Sequence, residues 1–163
     1  MGKKLYNFKI FLSYLIGTGF GLGYSPFAPG TAGSLGGVAI YLLLHKIFES
    51  HGYLFPILIF LTACAGTISA SIISQNEGEE DPSKVVIDEI LGQFLALIML
   101  PFSYKIIAAS FFIFRILDIL KPFPARRSEK LKNGVGIMID DAIVGIYTNL
   151  ILRIFIYIFP GIL

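Results

Sequence analysis

Long apolar runs separated by short polar stretches dominate this sequence. The runs cover residues 31–48, 54–74, 85–100, 106–120 and 135–159. Each is close to the roughly 20 residues that a helix needs to cross the apolar part of a bilayer, although the third and fourth runs are shorter and carry charges. The pattern predicts an all-α polytopic membrane bundle of about five spanning helices, built as a single integral-membrane domain over residues 1–163.

Composition supports the membrane class. Of the 163 residues 55% are hydrophobic, 15 are phenylalanine and only 15% are charged, which is more apolar surface than one soluble core of this size needs. A soluble bundle with buried central helices is the alternative. The single Cys64 allows neither an internal disulfide nor a metal cluster built on thiolates. A net charge of +2 without a basic stripe argues against nucleic acid as a partner.

Basic residues indicate how the chain lies across the membrane. They are concentrated near the start and after the fourth apolar run, at Lys3, Lys4, Lys9, Lys121, Arg126, Arg127, Lys130 and Lys132. Such clusters normally stay in the cytoplasm. With five crossings from Thr31 onward, both clusters lie on that side only if residues 5–24 do not cross. We therefore expect the glycine-interrupted segment 5–24 to be an interfacial or re-entrant helix.

Charged side chains inside apolar runs are costly in a bilayer, so we take them as candidate functional residues. Three stretches carry them: "VVIDEILG", "FRILDILKPFPAR" and "GIMIDDAIVG". The residues are Asp88, Glu89, Arg115, Asp118, Lys121, Arg126, Asp140 and Asp141. All of them are expected near the cytoplasmic ends of their helices, below one membrane surface.

The third and fourth runs are predicted to form an antiparallel hairpin that turns at Ser103. Asp88 and Asp118 are equidistant from Ser103 in sequence, so their carboxylates should lie at one depth. Asp140 and Asp141 should reach a similar level. Several acids in a low dielectric cannot all ionise without a cation, and oxygen ligands favour Mg²⁺. Alternatively, Asp118 forms only a salt bridge with the neighbouring basic residues of its own helix.

A loop rich in proline and glycine, "GYSPFAPGTAGSLGG", precedes the first long apolar run. Pro29 and Gly30, followed by Thr31 and Ser34, predict a loop that ends in a helix N-cap, where free backbone N–H groups attract anions. The alternative is a simple helix break with small residues for packing. Because the loop is expected on the same face as the acids, we favour phosphate binding.

These motifs together resemble the phosphatidylglycerophosphatase A family over about residues 17–145. The resemblance implies a Mg²⁺-dependent bacterial membrane enzyme that removes the terminal phosphate of phosphatidylglycerophosphate and leaves phosphatidylglycerol. It further implies an acidic catalytic site made of Asp88, Glu89, Asp118, Asp140 and Asp141. We expect Asp88, Glu89, Asp118 and Asp141 to bind the metal. The phosphate is expected to be bound by Gly30, Thr31, Ser34, Arg115, Lys121 and Arg126.

The expected function is hydrolysis of a lipid phosphomonoester in the cytoplasmic leaflet of the bacterial inner membrane, by a multi-pass enzyme whose site faces the cytoplasm. An ion transporter with an intramembrane carboxylate cluster is the alternative from another class. A CDP-alcohol phosphotransferase would also use Mg²⁺ and aspartates, but its D-G-x-x-A-R signature is absent from the sequence. The oligomeric state, the number of Mg²⁺ ions and the choice between a covalent intermediate and direct water attack stay open.

Overall fold

The computed structural model describes residues 2–128, 131 and 134–160, and the side chains of residues 2–5, 127 and 128 are outside this description. The described chain is helical and contains no strand, which confirms the all-α class. Its elements are α1 (Gly2–Gly17), a 3-10 helix (Leu22–Tyr24), α2 (Pro29–Ser50), α3 (Leu54–Glu77), α4 (Ile87–Leu97), α5 (Tyr104–Leu120), α6 (Ala125–Ser128) and α7 (Gly134–Ile158). Lys130 and Lys132 of the predicted basic cluster lie outside the described residues.

Three helices in the described chain, rather than five, are long and apolar enough to span a membrane. These are α2, α3 and α7, with 22, 24 and 25 residues. The expected count of five was wrong because the third run yields only the 11 residues of α4, and the fourth yields the 17 of α5. At 1.5 Å per residue, α4 is about 16 Å long, roughly half the thickness of a bilayer core. The rest of the third run lies outside the helix, because Val85 and Val86 precede α4 and the residues after Leu97 lead to Pro101.

The two shorter helices form a hairpin packed among the long ones. The Phe102 ring in its turn stacks on His45 of α2, with 3.6 Å between ring centroids. Arg153 of α7 donates hydrogen bonds to the backbone carbonyls of Ile98 and Met99 in the same turn. Because α2 and α7 both continue beyond these contacts, the turn lies short of their C-terminal ends. The hairpin therefore enters the bundle from one side and returns to the same side.

Helix α4 forms the centre of the bundle. It contacts α2, α3, α5 and α7, and nearly all of its residues are buried, including Gln93, which is completely inaccessible. The Gln93 amide donates a 2.7 Å hydrogen bond to the Ser110 hydroxyl of α5 and joins the two helices of the hairpin. Since protein surrounds α4 on all sides, its apolar residues pack in a protein core.

Helix α1 packs against the C-terminal part of α3 and is not among the candidate spans. The Tyr14 hydroxyl donates a 2.6 Å hydrogen bond to Glu77, which also forms a 2.8 Å ion pair with Lys84. The backbone N–H of Val86 donates to the carbonyl of Gly17. These bonds join the N-terminal segment to the loop between α3 and α4. Its expected position at the membrane interface stays a prediction.

Candidate functional site

A polar cavity of about 260 Å³ lies where the N-terminal ends of α2, α4 and α7 meet the C-terminal end of α5. Its lining contains most of the charged residues that the sequence singled out. The lining residues are Ala28, Pro29, Gly30, Asp81, Ser83, Val85, Asp88, Glu89, Arg115, Asp118, Lys121, Asp140 and Asp141. Residues far apart in sequence thus share one cavity at a single end of the bundle.

Three of the acids form a compact group without a basic partner among the ion pairs found in the described chain. Asp88, Glu89 and Asp141 each offer a carboxylate oxygen, and these oxygens lie within 4.8 Å of one another. Asp88 and Asp141 are only 8% and 3% exposed. One buried oxygen of each of the three carboxylates has no hydrogen-bond partner within the described chain. This arrangement could hold a metal ion.

Electrostatics at the start of α4 suit a cation site. Burial raises the pKa of Asp88 well above its ordinary value, and the carboxylates of Glu89 and Asp141 raise it further. Burial also raises the pKa of Glu89. Both residues lie in the first turn of α4, where the helix dipole favours negative charge by only about 0.3–1 kcal/mol. A bound cation would favour the ionised forms much more strongly.

Two further acids of the cavity, Asp118 and Asp140, are paired with its cations Arg115 and Lys121. An Arg115 Nη atom lies 2.7 Å from an Asp118 carboxylate oxygen, and Lys121 Nζ lies 2.9 Å from Asp140 Oδ2. The first pair joins residues one turn apart on α5. This pair agrees with the alternative prediction that Asp118 forms a salt bridge on its own helix. The second pair joins the C-terminal end of α5 to α7. The structure therefore separates these five acids into a group of three outside the ion pairs found in the described chain and two that form ion pairs.

Gly30 lies against the charged groups from α4 and α5. A Cβ built on Gly30 would overlap a carboxylate oxygen of Glu89 and lie 3.1 and 3.2 Å from the two Arg115 Nη atoms. Ser34, one turn later, is fully buried and lies 3.4 Å from Arg115 Nη1. Its hydroxyl donates to the Gly30 carbonyl. Gly30 thus allows the carboxylate and the guanidinium to approach the start of α2.

The start of α2 differs from the expected N-cap. The helix begins at Pro29, and Ala28 is the cap residue, without a capping side chain. Proline suits this first helical position because it lacks the N–H that would otherwise be unpaired. Thr31 lies inside the first turn, and its backbone N–H donates to the Ala28 carbonyl. Thr31 and Ser34 do not line the cavity.

Arg126 is also placed away from the cavity lining. It belongs to the short helix α6 and its side chain is exposed. Two residues that sequence reasoning missed, Asp81 and Ser83, do line the cavity. They belong to the polar segment "GEEDPSK" between α3 and α4, which follows the second apolar run and which five crossings from Thr31 onward would put on the same membrane face as the acids. That shared face was the signal available in the sequence.

Comparison with known proteins agrees with these features. A sequence model of the family described as Phosphatidylglycerophosphatase A matches residues 15–156. A proposed phosphatidylinositol-3-phosphatase of Bacteroides thetaiotaomicron is 41% identical over 149 residues, covering 88% of this chain and 93% of the relative. No solved structure matches the chain.

Two further relatives are phosphatidylglycerophosphatases A by name. The protein from Haemophilus influenzae is 40% identical over 141 residues, covering 85% of each chain. The one from Escherichia coli K12 is 36% identical over 135 residues, covering 82% of this chain and 77% of the relative. Together with the family match over most of the sequence and the acidic cavity at the helix ends, these likenesses identify the chain as a membrane phosphatase of the phosphatidylglycerophosphatase A family.

Proposed function

We propose that this protein removes the terminal phosphate of phosphatidylglycerophosphate in a Mg²⁺-dependent reaction and leaves phosphatidylglycerol. The observation that carries the proposal is the composition of the cavity. A group of three unpaired carboxylates lies beside two cations, Arg115 and Lys121, at one end of a bundle with apolar spanning helices. A phosphate ester attached to a membrane lipid matches this combination of charges and surroundings.

The residues present fit a divalent cation. Asp88, Glu89 and Asp141 supply hard oxygen ligands, and the buried unpaired oxygen of each is the kind of atom that a cation would satisfy. Among the residues that the structure describes, no cysteine or histidine lines the cavity, which favours Mg²⁺ over softer metals. When bound, Mg²⁺ would neutralise phosphate charge and make water a better nucleophile. Asp118, paired with Arg115, is the weakest of the four proposed ligands.

Arg115 and Lys121 are proposed to bind the phosphate oxygens. Each is already oriented by an acid, Arg115 by Asp118 and Lys121 by Asp140. A guanidinium held in this way can form two parallel hydrogen bonds to phosphate. Gly30 leaves the space beside the Arg115 guanidinium free of a side chain.

The proposed reaction is displacement at phosphorus by water. The oxygen of water forms a bond to phosphorus, the bond from phosphorus to the lipid glycerol oxygen breaks, and that oxygen takes up a proton. A carboxylate of the cavity accepts the proton that the attacking water loses, and that proton then passes to the leaving glycerol oxygen. Arg115 and Lys121 stabilise the negative charge on the phosphate oxygens during the transfer.

The substrate is proposed to enter from the cytoplasmic leaflet of the bacterial inner membrane. The cavity lies at the end of the bundle where α2 and α7 begin, and Lys121 is at the same end. Basic loops normally stay in the cytoplasm, so this end should face inward. Acyl chains would then remain in the membrane while the head group enters the cavity.

The test measures phosphate release by the purified protein from phosphatidylglycerophosphate, phosphatidylinositol 3-phosphate and phosphatidic acid, with Mg²⁺ or with excess chelator. We expect the highest kcat/KM for phosphatidylglycerophosphate, loss of turnover on chelation and recovery with Mg²⁺. Preference for phosphatidylinositol 3-phosphate would replace the proposed substrate with the one in the name of the Bacteroides relative. Full turnover in chelator would contradict the metal site. Cation flux into vesicles without phosphate release would favour the transporter alternative.

A further inference from the structure

The helices that carry Asp88 and Asp141 cross at two glycines. Gly92 lies four residues after Asp88 on α4, and Gly145 lies four residues after Asp141 on α7. Residues four apart share a helix face, so each glycine lies one turn beyond an acid on the same side. Both helices begin at the cavity, so the crossing lies about one helical turn further from the cavity than the carboxylates.

Backbone atoms of the two helices touch at this crossing. A Cβ built on Gly145 would overlap the carbonyl oxygen of Gly92 and lie 3.0 Å from its carbonyl carbon and its Cα. A Cβ built on Gly92 would lie 2.9 Å from the Asp141 carbonyl oxygen and overlap the Phe114 ring. Backbone atoms cannot rotate aside as the end of a flexible side chain can. A side chain at either glycine must therefore separate the helices.

We infer that Gly92 and Gly145 are positioning residues that set the distance between the Asp88 and Asp141 carboxylates and thereby the cation affinity of the site. The inference rests on the cation site of the proposed function. Metal–ligand distances tolerate changes of only about 0.2 Å, so a shift on the order of 1 Å between α4 and α7 should weaken binding. The other contacts of the acids need not change for this effect to occur.

The test measures cation binding by the purified full-length protein in detergent. Mn²⁺ binding is followed by electron paramagnetic resonance, and Mg²⁺ binding by the rise in melting temperature that the ion produces. Gly145→Ala is expected to raise the apparent dissociation constant for both ions at least about tenfold. Melting temperatures measured in chelator report the stability of each variant separately from its cation affinity.

Two other glycines provide matched controls. A Cβ on Gly134, also in α7, would overlap the Thr67 carbonyl oxygen and lie 2.6 Å from the Ser71 nitrogen, at a contact with α3. Gly134→Ala should lower the melting temperature in chelator without a tenfold change in cation affinity. Gly52 has open space around it, with the nearest atom 4.0 Å from a built Cβ. Gly52→Ala should change neither quantity.

The outcomes separate this inference from the cation site itself. If the unmodified protein binds neither ion, the cation site of the proposed function fails. If it binds them and Gly145→Ala binds equally well, or Gly134→Ala weakens binding as much, only the positioning role is overturned. Should Gly145→Ala not fold, Gly92→Ala is combined with Phe114→Leu, which makes room for the ring, and is compared with Phe114→Leu alone. Equal cation affinities of the double variant and of Phe114→Leu would also overturn the positioning role.

Discussion

At the residue scale, Gly30 is a position where one methyl group should disturb catalysis. A Cβ there would overlap a Glu89 carboxylate oxygen and crowd both Arg115 Nη atoms, so Gly30→Ala must displace one of these groups. A displacement of about 1 Å at an active site can cost on the order of 100-fold in rate. We expect a loss of this size in kcat, measured by phosphate release, with little change in melting temperature. Gly52→Ala is the control. A Gly30→Ala enzyme with the kcat of the unmodified protein would contradict this role of Gly30.

The two arginines of the family motif should differ strongly in importance. Arg115 lines the cavity and is paired with Asp118, whereas the exposed Arg126 does not line it. Arg115→Ala should lower kcat/KM by at least about 100-fold, since its removal also leaves Asp118 unpaired in the cavity. Arg126→Ala should stay within about threefold of the unmodified enzyme if it makes no direct phosphate contact. Steady-state kinetics of both variants test this difference. A larger loss of kcat/KM for Arg126→Ala than for Arg115→Ala would favour Arg126 as the phosphate ligand.

At the element scale, the hairpin of α4 and α5 depends on polar side chains from α7. The Asn149 amide donates to the carbonyls of Ala96 and Ile98, and Arg153 donates to Ile98, Met99 and the Asn149 side chain. These bonds satisfy carbonyls that are left without helical partners where α4 ends inside the bundle. They explain why two polar residues lie in a spanning helix.

Replacing Asn149 by leucine should therefore destabilise the hairpin. The change leaves the Ala96 carbonyl without its side-chain donor and the Ile98 carbonyl with Arg153 alone, which should cost about 1–3 kcal/mol of unfolding free energy. The melting temperature in detergent should fall, while the exposed Asn7→Leu should have little effect. An unchanged melting temperature for Asn149→Leu would mean that water or lipid satisfies these carbonyls equally well.

The sequence predicted the long helices better than the short ones, for a physical reason. The runs that became α2, α3 and α7 are both apolar and long enough to span a membrane, so their pattern predicts them directly. The run that became α4 is apolar because other helices enclose it, and hydrophobicity alone does not distinguish these two environments.

The Arg115–Asp118 pair was foreseen because both residues are neighbours on one helix. The Lys121–Asp140 pair was not, since it depends on how α5 packs against α7.

At the scale of the whole molecule, the corrected count of spans keeps the expected orientation. With α2, α3 and α7 as the three spans, the loop before α2, the loop before α4 and the basic segment from Lys121 are again expected on one side of the membrane. Single cysteines at Ser25 and Ser83, in a Cys64→Ser background, should be protected from a membrane-impermeant thiol reagent in intact cells. A cysteine at Ser50, at the opposite end of α2, should be labelled. Labelling at position 83 would place the cavity outside the cytoplasm.

If the acidic cavity is the phosphatase site, Asp141→Asn should remove most of the phosphatase activity. The substitution keeps the shape of the side chain but removes the charge of a buried member of the unpaired group. Phosphate release from phosphatidylglycerophosphate is measured in saturating Mg²⁺ for this variant and for the unmodified protein, after both elute as the same folded species. We expect a rate lower by about 100-fold or more for Asp141→Asn. A rate equal to that of the unmodified protein would contradict this role of the cavity.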